Sequence, residues 1–374
     1  MPAILVTDYS QTDREAWLRL SRTRRVGPIT FYKLLERFGT PSEALAAVPK
    51  LSTRGGRDPL RPPSRDKALQ EREAVHKLGG HMLFSCDARY PETLRQTPDP
   101  APVLTVLGNA DLLGSQQVAI VGSRNASANG LRMTTGLSTD LGQQGITITS
   151  GMARGIDAAA HKAALSSGTI AVVAGGVDVI YPAENEDLYF SIKGSDGAIV
   201  SEMPLALKPI AQSFPRRNRV IAGLSLGTIV IEASLRSGSL ITARFANDIG
   251  REVMAVPGSP LDSRAAGTNH LLREGATLIT TADDVLEALR ATLEFTASED
   301  ERQFEPPAVI QFDEDEIEEV CGQLLQLLSP VPTDIDELIR LTGAPPHVIQ
   351  AALVELELSG LVDRVAAGVA LLYE

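Results

Sequence analysis

Gln117-Val118-Ala119-Ile120-Val121-Gly122-Ser123-Arg124-Asn125-Ala126-Ser127 is the stretch that decides the fold class. A short apolar run ends in glycine and serine, and the next segment, Ala128–Gln144, reads as a helix. The same pattern repeats along the chain. Ile146–Thr149, Thr169–Ala174, Ala198–Ser201, Gly227–Glu232 and Glu252–Val256 read as further strands, each leading into glycine, serine or proline. Ile156–Ser167, Asn185–Lys193, Asn218–Leu224 and Ser239–Ile249 read as the helices between them. Strands alternating with helices require a parallel sheet covered on both faces. Ligands of such sheets bind at the carboxyl ends of the strands.

Working outward, the sheet block is expected over 81–295, with a helical block before it and a third block after it. In residues 1–80, Thr12–Thr23 and Ile29–Phe38 read as helices joined by Arg24-Arg25-Val26-Gly27-Pro28, and Gly39-Thr40-Pro41 starts a third. Two short helices around a Gly-Pro turn look like a helix–hairpin–helix, whose backbone N–H groups can hold a phosphate. Ser52–Asp66, rich in Gly, Pro and Arg, reads as an exposed loop. A polar, acidic linker is expected over 296–311. In 312–374, Glu316–Leu328, Asp334–Leu341 and Pro345–Leu358 read as helices and Leu361–Val365 with Val369–Tyr373 as a hairpin, the pattern of a winged helix.

Composition bounds the function. The chain has 374 residues, 43% hydrophobic and 22% charged, as expected of globular domains. It has no apolar run long enough for a membrane span, and its start has neither the basic residues nor the apolar core of a signal peptide. Cys86 and Cys321 lie far apart with no CxxC, so no zinc site or disulfide framework is expected, and a reducing cytoplasm fits. The net charge of −12 argues against a nucleic-acid partner until it is divided. Residues 1–80 carry +6, residues 81–290 carry −3 and residues 291–374 carry −15. The acidity sits in the tail.

The residues that carry chemistry cluster after the strands. Gly122, Ser123 and Arg124 follow the first, where backbone donors converge on a helix start and the arginine adds a planar fork suited to phosphate. The loop is neither G-x-G-x-x-G nor a Walker loop. Gly151, Arg154 and Gly155 follow the second. Asp157 and His161 come next, spaced one turn apart, and with no nucleophile beside them they read as structural. Phe214-Pro215-Arg216-Arg217-Asn218 places an aromatic and arginines at a helix start, the composition of a single-strand groove. Ser237, Gly238 and Ser239 stand at another helix start.

Ala119–Arg124, Ser150–His161, Gly175–Asn185, Phe214–Ser225, Glu232–Ala243, Arg251–Pro257 and Gly267–Ala276 together resemble the DNA-processing protein A family (DprA, also called Smf). The resemblance implies a Rossmann-like domain that binds single-stranded DNA without cleaving it. That domain is flanked by an N-terminal helical domain, SAM-like or helix–hairpin–helix-like, and by a C-terminal winged helix. It implies protection of incoming DNA and loading of the RecA recombinase in natural transformation and recombination. It also implies a homodimer formed through the Rossmann-like domain, with Leu240–Leu272 the candidate surface; the sequence itself shows no metal cluster, nucleophile–base pair or nicotinamide fingerprint, so neither cofactor nor metal is expected. By motif position Arg124 would meet phosphate, Phe214 would stack on a base, and Arg217 and Asn218 would lie beside it. Gly122, Ser123, Gly151, Arg154, Gly155, Arg216 and Ser237-Gly238-Ser239 would line the same rim. Family members often carry a lysine just before Phe-Pro; here Ile210-Ala211-Gln212-Ser213 stand there and Lys208 is the nearest.

Two rival readings remain at this point. One is a Rossmann-like nucleoside-monophosphate hydrolase using Glu232, although the Pro-Gly-Gly-x-Gly-Thr that precedes the glutamate in such enzymes is missing. The other is a winged-helix regulator of duplex DNA. Against the latter, Pro345–Leu358 offers His347 and Gln350 but no lysine or arginine, and carries Glu355 and Glu357. The acidic module is therefore expected to avoid DNA and to contact protein, either another partner or the basic 1–80 block of its own chain.

Overall fold

The computed structural model describes residues 9–53, 59–296, 313–365 and 368–372. The first eight residues, and all but the first residue of the expected linker, lie outside the described residues. The chain forms two compact units, one built from its N-terminal helices together with its C-terminal module, the other from the segment between.

The first unit opens with α1 (Gln11–Ser21), α2 (Pro28–Phe38) and α3 (Pro41–Leu51). Local chemistry sets these boundaries. The Ser10 hydroxyl accepts from the Asp13 N–H and the Thr40 hydroxyl from the Glu43 N–H, while Pro28 and Pro41 occupy first-turn positions that need no donor. Trp17 and Phe31 are buried with ring centroids 5.0 Å apart. Helix α4 (Arg65–Lys77) then carries the chain into the second unit.

That unit contains β1 (Gly80–Phe84), α5 (Glu92–Arg95), β2 (Val103–Gly108), β3 (Gln117–Gly122), α6 (Ala128–Gln143), β4 (Thr147–Ser150), α7 (Ile156–Ala163), β5 (Thr169–Val172), α8 (Glu186–Gly194), β6 (Ala198–Ser201), α9 (Ser213–Leu224), β7 (Gly227–Ile231), α10 (Ser239–Asp248), β8 (Glu252–Ala255), α11 (Ala266–Arg273), β9 (Thr277–Leu278) and α12 (Ala282–Thr296). The sheet order is β1-β2-β6-β5-β4-β3-β7-β8-β9. From β6 to β9 neighbours are parallel, and β2 and β1 extend one edge antiparallel. This is the expected Rossmann-like architecture. Within the parallel part the chain runs from β3 outward to β6 and returns to the other side of β3 as β7, so the crossover direction reverses between β3 and β7. Alternate β3 residues serve opposite faces: Ala119 and Val121 join a core with Val220, Ile221 and Ala243, whereas Val118 and Ile120 join one with Leu137, Leu141 and Leu289. Burial on both faces is why the strand reads as an unbroken apolar run. Gly122 closes it because a side chain there would run into the Ile231 carbonyl.

The C-terminal module returns to the first unit as α13 (Glu314–Leu327), α14 (Ile335–Thr342), α15 (Pro346–Ser359) and the antiparallel pair β10 (Val362–Val365) and β11 (Gly368–Leu371). This is the expected winged helix. Its second motif helix, α15, is buried on more than one side: Val348, Ala352 and Leu356 pack into the module's core, while Glu355 and Glu357 turn to α2. Arg37 and Glu355 pair at 2.7 Å with side chains 7% and 4% exposed. The Thr30 hydroxyl donates to Glu357 at 3.0 Å, and Arg364 donates to its other oxygen at 2.6 Å. Arg25, in the turn expected to hold phosphate, donates instead to the Leu358 carbonyl at 3.1 Å, at the negative end of α15. Of the two protein contacts anticipated for the acidic module, the one with the basic N-terminal block is formed.

Candidate nucleic-acid interface

The loops after β3, β4, β5 and β7 and the start of α9 meet at the carboxyl edge of the sheet, beside the reversal between β3 and β7. They enclose two adjoining depressions of about 430 Å³ each. Arg124, Ala153, Phe214 and Arg217 belong to both and form the wall between them.

Helix α9 builds that wall. The sequence places its start at Asn218, yet it begins at Ser213, because Pro215 sits in the first turn, where no donor is required. Phe214, Arg217, Asn218 and Ile221 follow helical spacing along one face, and all four line the second depression. Phe214 is half-buried. Its ring centroid lies 5.7 Å from that of Tyr181, and the exposed Arg124 holds its guanidinium 5.6 Å from the ring.

The other arginines separate by burial. Arg217, expected at the DNA beside Phe214, is 7% exposed. Its guanidinium donates to the Gly151 carbonyl and, at 2.7 Å, to the Val172 carbonyl, and its Nε donates to Asn218 Oδ1 at 3.0 Å. Burial lowers its pKa to about 10, with Asp157 opposing, so it stays charged at neutral pH. Arg217 thus fixes the ends of β4 and β5 from within, a correction to its expected place on the surface. Arg216 projects from another side of α9, is half-exposed, and lies 3.6 Å from Glu202. It lines neither depression, because two residues of helix turn it away from Phe214. Asn218 is buried and donates to the Gly238 carbonyl at 3.2 Å.

The remaining candidates fall as follows. Gly122, Ser123, Ser237, Gly238 and Ser239 line the second depression, and Gly151 and Arg154 the first. Arg154 is half-exposed, 3.6 Å from Glu184. Gly155 has φ of 76° and packs against the Ser123 carbonyl, which explains glycine there. Lys208 is exposed, and its neighbour Pro209 lines the first depression. Sequence reasoning missed Tyr181 and Arg264, which also line the site. Tyr181 lies 33 positions before Phe214, and no pattern in one sequence connects them.

Asp157 and His161 are interior groups. The Asp157 carboxylate accepts from the Gly151 and Ala153 N–H groups at 3.2 and 3.3 Å. Burial raises its pKa, opposed first by Arg217. His161 is fully buried, with Nδ1 2.7 Å from the Thr169 hydroxyl. That hydroxyl donates to the Ile148 carbonyl, so it accepts from Nδ1–H. Burial, reinforced by Arg217, lowers the His161 pKa to about 3 and keeps the ring neutral. Glu232 has φ of 53°, and its carboxylate caps α6, accepting from the Ser127 N–H at 2.8 Å and from the Ser127 hydroxyl. The chain's own carboxylate fills the anion seat at that helix start. Among the described residues there is no His, Cys, Asp and Glu cluster suited to a metal, and no helix is long and apolar enough to cross a membrane.

Comparison with known proteins agrees with this layout. Residues 81–290 match the family described as DNA recombination-mediator protein A, residues 11–74 a DprA-like N-terminal HHH domain, and residues 312–368 a DprA winged helix domain. Protein Smf of Escherichia coli K12 is 40% identical over 291 residues, covering 77% of this chain and 76% of that protein. DNA processing protein DprA of Streptococcus pneumoniae R6 is 46% identical over 202 residues, covering 54% and 71%. The X-ray structure of DprA from S. pneumoniae superposes with a TM-score of 0.60 and 37% identity over 72% of this chain and 95% of that one. A structure of DprA from Helicobacter pylori, concerned with that protein's single-stranded DNA binding mode, gives 0.52 and 30% over 57% and 96%. The chain belongs to the DNA recombination-mediator protein A family of DNA-processing proteins, whose members carry the names DprA and Smf.

Proposed function

We propose that this protein binds single-stranded DNA without chemical change, in the paired depressions at the carboxyl edge of its sheet. It would shelter the strand and deliver it to the RecA recombinase during recombination and transformation. The observation that carries the reading is the shared wall: a half-buried Phe214 under an exposed Arg124, with glycine-rich loops on both sides. Stacking on the ring and charge on the rim are both tolerant of sequence. The H. pylori relative's DNA binding and the family's place in recombination support it; the RecA step rests on the family alone. Against a hydrolase, Glu232 is committed to capping α6 and His161 is sealed in the core.

The test is titration of oligo-dT against salt. Arg124→Ala is expected to lower the slope of log affinity against log salt by about one, because one phosphate is no longer neutralised. Phe214→Ala is expected to cost about 1–3 kcal/mol, roughly 5–150-fold in affinity. Wild-type affinity and slope in both variants would remove the cleft from DNA binding.

Self-association through the sheet unit belongs to the same proposal. Leu235 and Ile241 are 62% and 39% exposed at the rim of a depression of about 920 Å³ shared with Leu240, Arg244 and Leu271. Sedimentation of the full chain at micromolar concentration is expected to give a dimer, and Ile241→Glu a monomer. A monomeric wild type contradicts it.

A further inference from the structure

We propose that Tyr181 is a second stacking residue, and that Tyr181 and Phe214 together receive two successive bases of an unstacked strand. The inference rests on the single-strand reading above and adds to it a means of telling single strand from duplex.

Tyr181 lies in the loop between β5 and α8, 49% exposed, at a rim shared with the exposed Arg124 and Arg154. It lines the first depression, while Phe214 lines both. The two centroids are 5.7 Å apart and the planes are inclined by 53°. A sandwich around one base needs parallel planes, so this inclination suits two adjoining platforms instead. Their separation also exceeds the rise of about 3.4 Å between neighbouring bases along a duplex strand. Two adjacent bases each take a ring only after parting from one another. A flexible single strand does this at small cost, whereas a duplex must first unpair and unstack, at a few kcal/mol. Arg124, over the Phe214 ring, and Arg154, at the edge of the first depression, lie where the intervening phosphates of such a strand pass.

The experiment uses the full chain with Tyr181→Ala and Tyr181→Phe, titrated with dT12, with the same backbone made abasic throughout, and with a duplex of equal length. Phe214→Ala serves as the reference. Tyr181→Ala is expected to lose about 5–150-fold in affinity for dT12 with an unchanged salt slope, while Tyr181→Phe binds as the wild type does. On the abasic backbone the Tyr181→Ala loss is expected to vanish, since no base remains to stack. The preference for dT12 over duplex is expected to shrink in Tyr181→Ala. Wild-type affinity for dT12 in Tyr181→Ala, while Phe214→Ala is weakened, overturns this inference and leaves the single-strand reading standing. Equal losses on dT12 and the abasic backbone, or a Tyr181→Phe as weak as Tyr181→Ala, also overturn it. A wild type that does not bind dT12 defeats both.

Discussion

Arg217→Ala is expected to destabilise the sheet unit by about 3–5 kcal/mol, the range for removing one member of a buried charged network. The guanidinium is 7% exposed and supplies donors to the Gly151 and Val172 carbonyls at the ends of two adjacent strands. A buried acceptor that loses its donor costs about 1–3 kcal/mol. Arg217 is also the first positive charge offsetting the burial of Asp157, whose carboxylate holds the Gly151 and Ala153 N–H groups. One substitution therefore loosens the loops after β4 and β5 together. Denaturant unfolding measures the loss. Arg217→Lys, with one ammonium in place of a planar fork, is expected to recover only part of it. The DNA readout separates this role from a phosphate contact. Per folded molecule, Arg217→Ala is expected to keep the wild-type salt slope, whereas Arg124→Ala lowers it. A stable Arg217→Ala with a slope reduced by one would place its guanidinium on the DNA instead.

That distinction marks how far the sequence is legible. The strands β3 to β8 and the helices between them follow from short apolar or β-branched runs ended by glycine, serine or proline, most of them buried on both faces. The strands β1, β2 and β9 have no counterpart in the sequence reading. In β1, Gly80–Phe84, the exposed His81 interrupts the run, and β9 is only Thr277–Leu278. Of the candidate site, the loop residues Gly122, Ser123, Arg124, Gly151 and Ser237 are placed by strand ends alone, and they do gather there. The arginines of α9 are not, since the sequence reading starts that helix only at Asn218, after Pro215. Once it is recognised as a first-turn residue, helical spacing sends Arg217 inward with Phe214 and Arg216 away. Tyr181 and the strained Glu232 lie beyond any such rule, because their partners, Phe214 on α9 and Ser127 before α6, are distant in the sequence.

In the helical unit the largest effect is expected at Arg37. Arg37→Ala removes the guanidinium 2.7 Å from Glu355 in a setting where both side chains are almost fully buried. Breaking such a pair from one side costs about 3–5 kcal/mol, because a carboxylate stays behind with less compensation. The exposed Lys50–Glu314 pair at 3.5 Å, 82% and 69% exposed, is expected to matter little: Lys50→Ala should fall within about 1 kcal/mol. Adding Glu355→Gln to Arg37→Ala is expected to restore part of the loss, since the second change removes the buried charge whose compensation the first reduced. Urea unfolding of the four full-length proteins completes the cycle, and an Arg37→Ala as stable as the wild type would show that α2 and α15 do not depend on the pair. The arrangement also bears on what a winged helix does here. A groove-reading module needs its second motif helix free and furnished with donors. In this chain that helix presents Glu355 and Glu357 to α2, and its carbonyl end is held by Arg25. The acidic helix occupies, within the helical unit, a face of α2 and contacts the turn before it. Charge complementarity between a basic N-terminal block and an acidic C-terminal one is thereby used inside the chain, while the proposed single-strand site lies in the sheet unit.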